Sequence, residues 1–371
     1  MKAILRNISE YYNKQLPFVA YHKPNDGVVK FIYQNDNALH YVNDFSESGF
    51  VFAPFENIDK TVLIPLENLL EESYEKGHAA LSVYEDLIIG NEHDKVKHEA
   101  LVQKGIEAIV ANKFQKVVLS RIERIESDAS PVSLFKMLLS IYPSAFVYLW
   151  YHPKVGCWLG ATPEVLLQVH GNRFKTMALA GTQLYSDNLL WGEKEQEEQQ
   201  LVTDFIADCL ASKKIAFKAG KPYTVRAGNL AHIRTDIEGN LDRTSNSNNL
   251  TSLIKSLHPT PAVCGLPKDS SQEFILENEG YDRSYYTGFL GELNFEKSRH
   301  NNRRNTENQA YRFNARTSSL FVNLRCMQVQ QNECLVYVGG GITASSVPSN
   351  EFEETCNKAK TMGKVISAVK A

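Results

Sequence analysis

Apolar residues fall in short runs and alternations along most of this chain, and helical periodicity is confined to a few longer segments. Strand-like runs appear at residues 28–33, 50–55 and 61–65, then at 145–151, 157–161, 165–170 and 173–179. A helix is predicted over residues 94–112, with Leu101, Val102, Ile106, Ile109 and Val110 on one side. It leads directly into the apolar strand that starts at Lys116. Residues 286–296 and 319–330 read as two arms of a hairpin, and residues 297–313 between them, rich in Asn and Arg, as a solvated, mobile loop. Many strands with a few long helices point to an α/β or α+β protein without strict βαβ alternation.

Two further helices carry acids on their apolar side. Over residues 189–213 the stripe is Val202, Phe205, Ile206 and Cys209, and Glu195 and Glu198 continue it toward the N-terminus. Over residues 350–369 the stripe is Met362, Val365 and Val369, continued by Lys358, Glu354 and Glu351, with Asn350 and Glu353 as a capping pair. Buried carboxylates need partners or a metal, and oxygen-only ligands with no nearby His or Cys suit Mg²⁺. The alternative is a pair of surface helices whose glutamates favour the positive N-terminal ends.

Two other features stand open in the same way. Val338-Gly-Gly-Gly-Ile342 follows an apolar strand, and its glycines either make a tight turn or expose backbone N–H groups to an anion. Arg325 interrupts the apolar strand 320–329, facing either water or a substrate carboxylate that it grips with a bidentate fork.

Bulk properties narrow the class. A chain of 371 residues accommodates one large or two smaller domains. The net charge of −3 excludes a basic nucleic-acid footprint, and no apolar run reaches membrane-span length. The N-terminus lacks the long apolar segment of a signal peptide, and the six cysteines have no Cys-x-x-Cys spacing. They read as reduced thiols of a cytoplasmic protein.

Read in order, several motifs resemble the chorismate-utilising enzymes, which include isochorismate synthase, salicylate synthase and component I of anthranilate and aminodeoxychorismate synthases. They are Lys116-Val-Val-Leu-Ser-Arg121, Gly160-Ala-Thr-Pro-Glu164, Leu179-Ala-Gly-Thr182, the Lys194-Glu-x-x-Glu helix and Leu257-His-Pro-Thr-Pro-Ala262. Asp282-Arg283 before Gly288 and Gly291, Val322-Asn-Leu-Arg325, the glycine run and Glu351-x-x-Glu-x-x-x-Lys358 complete the set. The resemblance runs from about residue 94 to the C-terminus, and residues 1–93 match loosely. It implies one large domain of two packed antiparallel sheets flanked by helices, with chorismate as substrate, Mg²⁺ as cofactor and no obligatory protein partner. By match, Glu198 and Glu354 are the metal ligands and Glu195 and Glu351 support them. Gly181, Thr182, His232, Arg325, Gly340, Gly341 and Lys358 match substrate-contacting or site-lining positions. The first metal helix of the family usually carries Glu-His, and this chain has Glu198-Gln199.

Three positions discriminate among members by the same resemblance. Lys116 matches the base of members that add water. Ala180 stands where aminodeoxychorismate synthases often carry a lysine nucleophile. Ala262 replaces the threonine of salicylate synthases. Isochorismate synthase is therefore the preferred reading, with Lys116 as base and Glu164 as acid, and salicylate synthase the nearest rival. Burial should lower the pKa of Lys116 and raise that of Glu164. Isochorismate feeds both menaquinone and siderophore formation, and menaquinone is the more general need.

Overall fold

The computed structural model describes residues 1–75, 87, 89–227, 230–241, 249–296 and 316–370. The loop expected at 297–313 lies outside them. The described strands form two sheets in which every pairing is antiparallel. The first sheet runs Gly265–Leu266, Lys116–Glu126, Glu333–Ile342, Cys326–Val329, Gly156–Thr162, Phe146–His152, Phe18–His22, Val28–Tyr33, Leu69–Ser73. The second runs Phe217–Ala219, Leu230–Asn240, Arg173–Leu184, Val165–His170, Arg316–Val322, Phe289–Glu296, Gly49–Ala53, Val62–Pro65, His40–Tyr41, with Tyr223–Ala227 also paired to Leu230–Asn240. Strands from within residues 1–75 belong to both sheets.

The sheets face each other across an aromatic core. Phe146 of the first stacks on Phe321 of the second at 4.1 Å, and Phe52 stacks on Tyr285 at 4.3 Å. Strands such as Phe18–His22 and Gly49–Ala53 are buried at every residue, which explains their continuous apolar runs. One carboxylate crosses the same interface: Glu292 accepts from Tyr21 Oη and Lys23 Nζ, both at 2.7 Å, and from Lys30 Nζ at 3.0 Å.

Among the described residues the helices are α1 (Lys2–Asn13), α2 (Glu92–Val110), α3 (Pro131–Ile141), α4 (Glu193–Ser212), α5 (Asn249–Leu257), α6 (Lys268–Asn278) and α7 (Pro348–Lys370). α1, α3 and α7 cover the outer face of the first sheet, α4 and α5 that of the second, and α2 and α6 pack where the Lys116 strand lies. None of them is long and apolar enough to cross a membrane.

Four expectations need correction. α2 starts at Glu92 because Asn91 caps it, accepting from Asp94 N. Its buried side is His98, Val102, Gly105, Ala108 and Ile109, whereas Val110 is exposed. α7 starts at Pro348, a favoured first helical residue, so Asn350 lies within the first turn and is no cap. The apolar stretch 320–329 is two strands in different sheets, broken at Asn323–Arg325. The glycine run is neither turn nor loop: Gly339, Gly340 and Gly341 continue a strand opposite Ser120, Leu119 and Val118.

Candidate active site

The bare glycine edge of that strand is where acids from two helices converge. A Cβ on Gly340 would stand 3.5 Å from Glu351 Oε2 and 3.7 Å from Glu354 Oε1, both on α7. A Cβ on Gly341 would stand 2.5 Å from Glu198 Oε1, on α4, and 3.0 Å from Lys116 Cε. The glycines thus clear the space into which three carboxylates from two helices project. Glu195 behaves differently. Its side chain folds back at the α4 N-terminus, where a Cβ on Gly192 would meet its Oε2 at 2.7 Å.

Each of the three converging acids is held by a lysine. Lys116 Nζ lies 2.7 Å from Glu198 Oε1, Lys358 Nζ 2.6 Å from Glu354 Oε1, and Lys194 Nζ 2.8 Å from Glu351 Oε1. Lys116 is fully buried. Lys358 also donates to the Gly339 carbonyl at 2.8 Å. In this arrangement no three acidic, His or Cys side chains of the described residues converge as a metal requires. The donors nevertheless fit a hard cation in kind. They are oxygens only, they share one glycine edge, and Glu351 Oε2 is buried with no hydrogen-bond partner.

Glu164 and Arg325 sit where the chain changes sheets. Glu164 follows the first-sheet strand Gly156–Thr162 and precedes the second-sheet strand Val165–His170. Arg325 occupies the opposite crossing, with φ of 50°. The two crossings are tied together: Val322 N donates to Glu164 O and Ala161 N to Arg325 O, both at 3.0 Å. Burial pushes the Glu164 carboxyl up to about 7, against the opposing pull of Lys116, Arg325 and Lys358. Arg325 has no carboxylate ion-pair partner among the described residues. Its Nη2 is 3.1 Å from His232 Nε2, and burial pulls its pKa below the ordinary arginine value.

His232 is a neutral bracket. Burial first, then Arg325 and Lys358, drive its pKa down to about 3. Since Arg325 can only donate, Nε2 accepts, and Nδ1–H donates to Gly181 O at 3.1 Å. Gly181 can present that carbonyl because it sits in a bulge between Ala180 and Thr182 with φ of 70°.

These groups surround a cleft with about 930 Å³ of empty space, solvent at its mouth included. It is lined by Glu164, Gly181, Thr182, Glu195, Glu198, His232, Ala262, Arg325, Gly340, Gly341, Glu354 and Lys358. Of the expected site residues only Lys116 and Glu351 lie behind the wall, 0% and 2% exposed. Gln199 makes no bond to Glu198. It is buried and donates to Thr203 Oγ1 at 2.9 Å and Thr235 Oγ1 at 2.6 Å, anchoring α4 to the second sheet.

Other roles emerge only from the structure. Lys194 lines the cleft, as do Tyr286 and Tyr337. Its signal was its place one turn before Glu198 on the same helix face. Arg283 is a hidden brace: it donates to Val118 O at 2.6 Å and Val263 O at 2.9 Å while pairing with Glu279. Glu279 in turn accepts from Ser120 N at 2.7 Å. The pair fixes the Lys116 strand against the segment that carries Ala262.

Residues 54–300 match the family described as chorismate binding enzyme, and residues 311–364 a second description of the same kind. The chain belongs to the chorismate-binding enzyme family. It is 28% identical over 282 residues to the isochorismate synthase EntC of Escherichia coli K12, a match covering 72% of this chain and 66% of EntC. The match thus spans just under two thirds of that relative's length. A crystal structure described as DhbC from Bacillus anthracis is similar over 97% of this chain and 99% of its own, with TM-score 0.74 and 23% identity. MenF, the menaquinone-specific isochorismate synthase from Escherichia coli, is similar over 94% of this chain and 88% of its own, with TM-score 0.75 and 18% identity. Both structures share the fold described above.

Proposed function

We propose that this protein is an isochorismate synthase, converting chorismate to isochorismate by adding water at one ring carbon and expelling the ring hydroxyl from another. One observation carries the reading: Glu164, a buried acid poised near neutral pH, faces the same cleft whose wall hides the amine of Lys116. Arg325, Lys358 and Lys194 supply the positive charge that a dicarboxylate substrate needs. Bound by Glu198, Glu354 and Glu351, with Glu195 in support, Mg²⁺ would neutralise the ring carboxylate of the substrate.

Lys116 takes a proton from water, and the oxygen attacks the ring carbon next to the carboxyl-bearing one. The diene shifts, and Glu164 gives its proton to the departing hydroxyl. Water enters and water leaves, so the product is an isomer of the substrate. Lys116 is free to serve as a base only after Glu198, now 2.7 Å from its Nζ, turns away. His232 holds Arg325 in place through its accepting Nε2. Ala262 offers no hydroxyl at the position where salicylate synthases carry threonine, which supports stopping at isochorismate. We place the product at the head of menaquinone formation, the reaction being the same in the siderophore route.

Lys116→Ala and Glu164→Gln test this reading. Each should lower turnover by roughly 10²–10⁴ with the circular dichroism spectrum unchanged. Full activity in either variant overturns the assignment.

A further inference from the structure

The three lysine–glutamate pairs at the glycine edge are not equivalent. Lys116 is wholly enclosed, and Lys358 has a second anchor in the Gly339 carbonyl. Lys194 has Glu351 as its single hydrogen-bond partner among the described residues, at 2.8 Å, and is the most exposed of the three at 34%. It stands in the first turn of α4 and reaches across to α7, so one side chain spans the two helices that carry the acids. Glu351 is 3% exposed, and its second oxygen has no partner. While it pairs with Glu351, Lys194 lines the same cleft as Glu198 and Glu354. The ammonium therefore neutralises the acidic cluster as a whole, and it is the cation least tied to its place.

We infer that Lys194 is a releasable positioning residue: it occupies the Glu351 carboxylate until a divalent cation takes that carboxylate, and then turns into the cleft toward the anionic substrate. Two consequences follow from competition for one carboxylate. Lys194 weakens cation binding while no anion is present, because the cation must displace it. It also makes cation and anion assist each other, since the freed ammonium gains the anion as a partner, and such coupling is reciprocal. The inference rests on the proposed function for the identity of the anion, and on this chain's own ion pairs for the rest.

The test is calorimetric titration of MgCl₂ into the full-length protein without chorismate, alongside the KM for chorismate at several Mg²⁺ concentrations. If the pair holds Glu351 about nine-tenths of the time, Lys194→Met should bind Mg²⁺ about tenfold more tightly than the wild type. The same variant should show a raised KM that falls less steeply than the wild type's as Mg²⁺ rises, and Lys194→Arg should restore both behaviours toward wild type. Should Lys194→Met fail to fold, Lys194→Gln carries the same expectation. Mg²⁺ affinity equal to or weaker than wild type in the neutral variant overturns the placeholder role, and an unchanged KM overturns the transfer to the anion. Tighter Mg²⁺ binding by Lys194→Met beside a wild type that leaves chorismate untouched would retain the placeholder and discard the proposed reaction.

Discussion

Glu164 keeps its proton near neutral pH because it is buried at a crossing between the sheets. Its pKa, raised from 4.5 to about 7, sets two pH dependences. As the proposed general acid it acts protonated, so kcat/KM should fall as pH rises through about 7, and a kcat/KM–pH profile checks this. The same shift bears on stability. A carboxyl whose folded pKa is raised contributes stability present below 4.5 and lost as pH rises through about 7. Glu164→Gln cannot ionise, so its melting temperature should match wild type in acid and exceed it at about pH 8. A variant less stable than wild type at that pH would contradict the burial argument. Lys116 and Glu164 were legible because each sits in a recognisable motif beside apolar neighbours. The ion pair of Lys194 was not: its partner Glu351 lies 157 residues away, and no local periodicity reports such a pair. Gln199 was legible as a departure, but its anchoring of Thr235 depends on packing between α4 and the sheet.

At the scale of elements, the strand that ends in three glycines does the most for the site. Local sequence marks glycines as turn formers, and only the pairing with Ser120, Leu119 and Val118 reveals that they keep a strand's edge bare. Gly341→Ala would force Glu198 and Lys116 aside, since the new Cβ meets Glu198 Oε1 at 2.5 Å. Displacing a reacting group by about 1 Å costs on the order of 10² in rate, so kcat should fall by that order. Gly340→Ala finds its nearest side-chain neighbour at 3.5 Å and should leave kcat nearly intact while raising KM, because it narrows the cleft. Steady-state kinetics on both variants checks the split, and wild-type kcat in Gly341→Ala would contradict it. Of the seven described helices only α2, α4 and α7 were readable from periodicity, with their starts displaced by two to four residues where Asn91, Gly192 and Pro348 set them. The break at Asn323–Arg325 was not readable, because apolar alternation does not report a chain that leaves one sheet for another.

For the whole molecule, function lies along the seam between the sheets. The aromatic core and the Glu292 cluster lock the two layers, and the paired crossings at Glu164 and Arg325 open into the cleft. The two-sheet architecture followed from the ordered motifs that resemble the family, since composition and strand patterns alone reached only a mixed α and β class. Strands within residues 1–75 complete both sheets, a role set by buried apolar runs such as Phe18–His22 and Gly49–Ala53. The proposed work of this seam is to isomerise chorismate with help from a cation held by the glutamates. The most direct measurement is chromatography with mass analysis of the purified protein incubated with chorismate, in Mg²⁺ and in EDTA. The expected product depends on Mg²⁺, has the same mass as chorismate and forms without pyruvate. Salicylate with pyruvate would contradict the reading of Ala262, and unchanged chorismate in Mg²⁺ would contradict the proposed reaction itself.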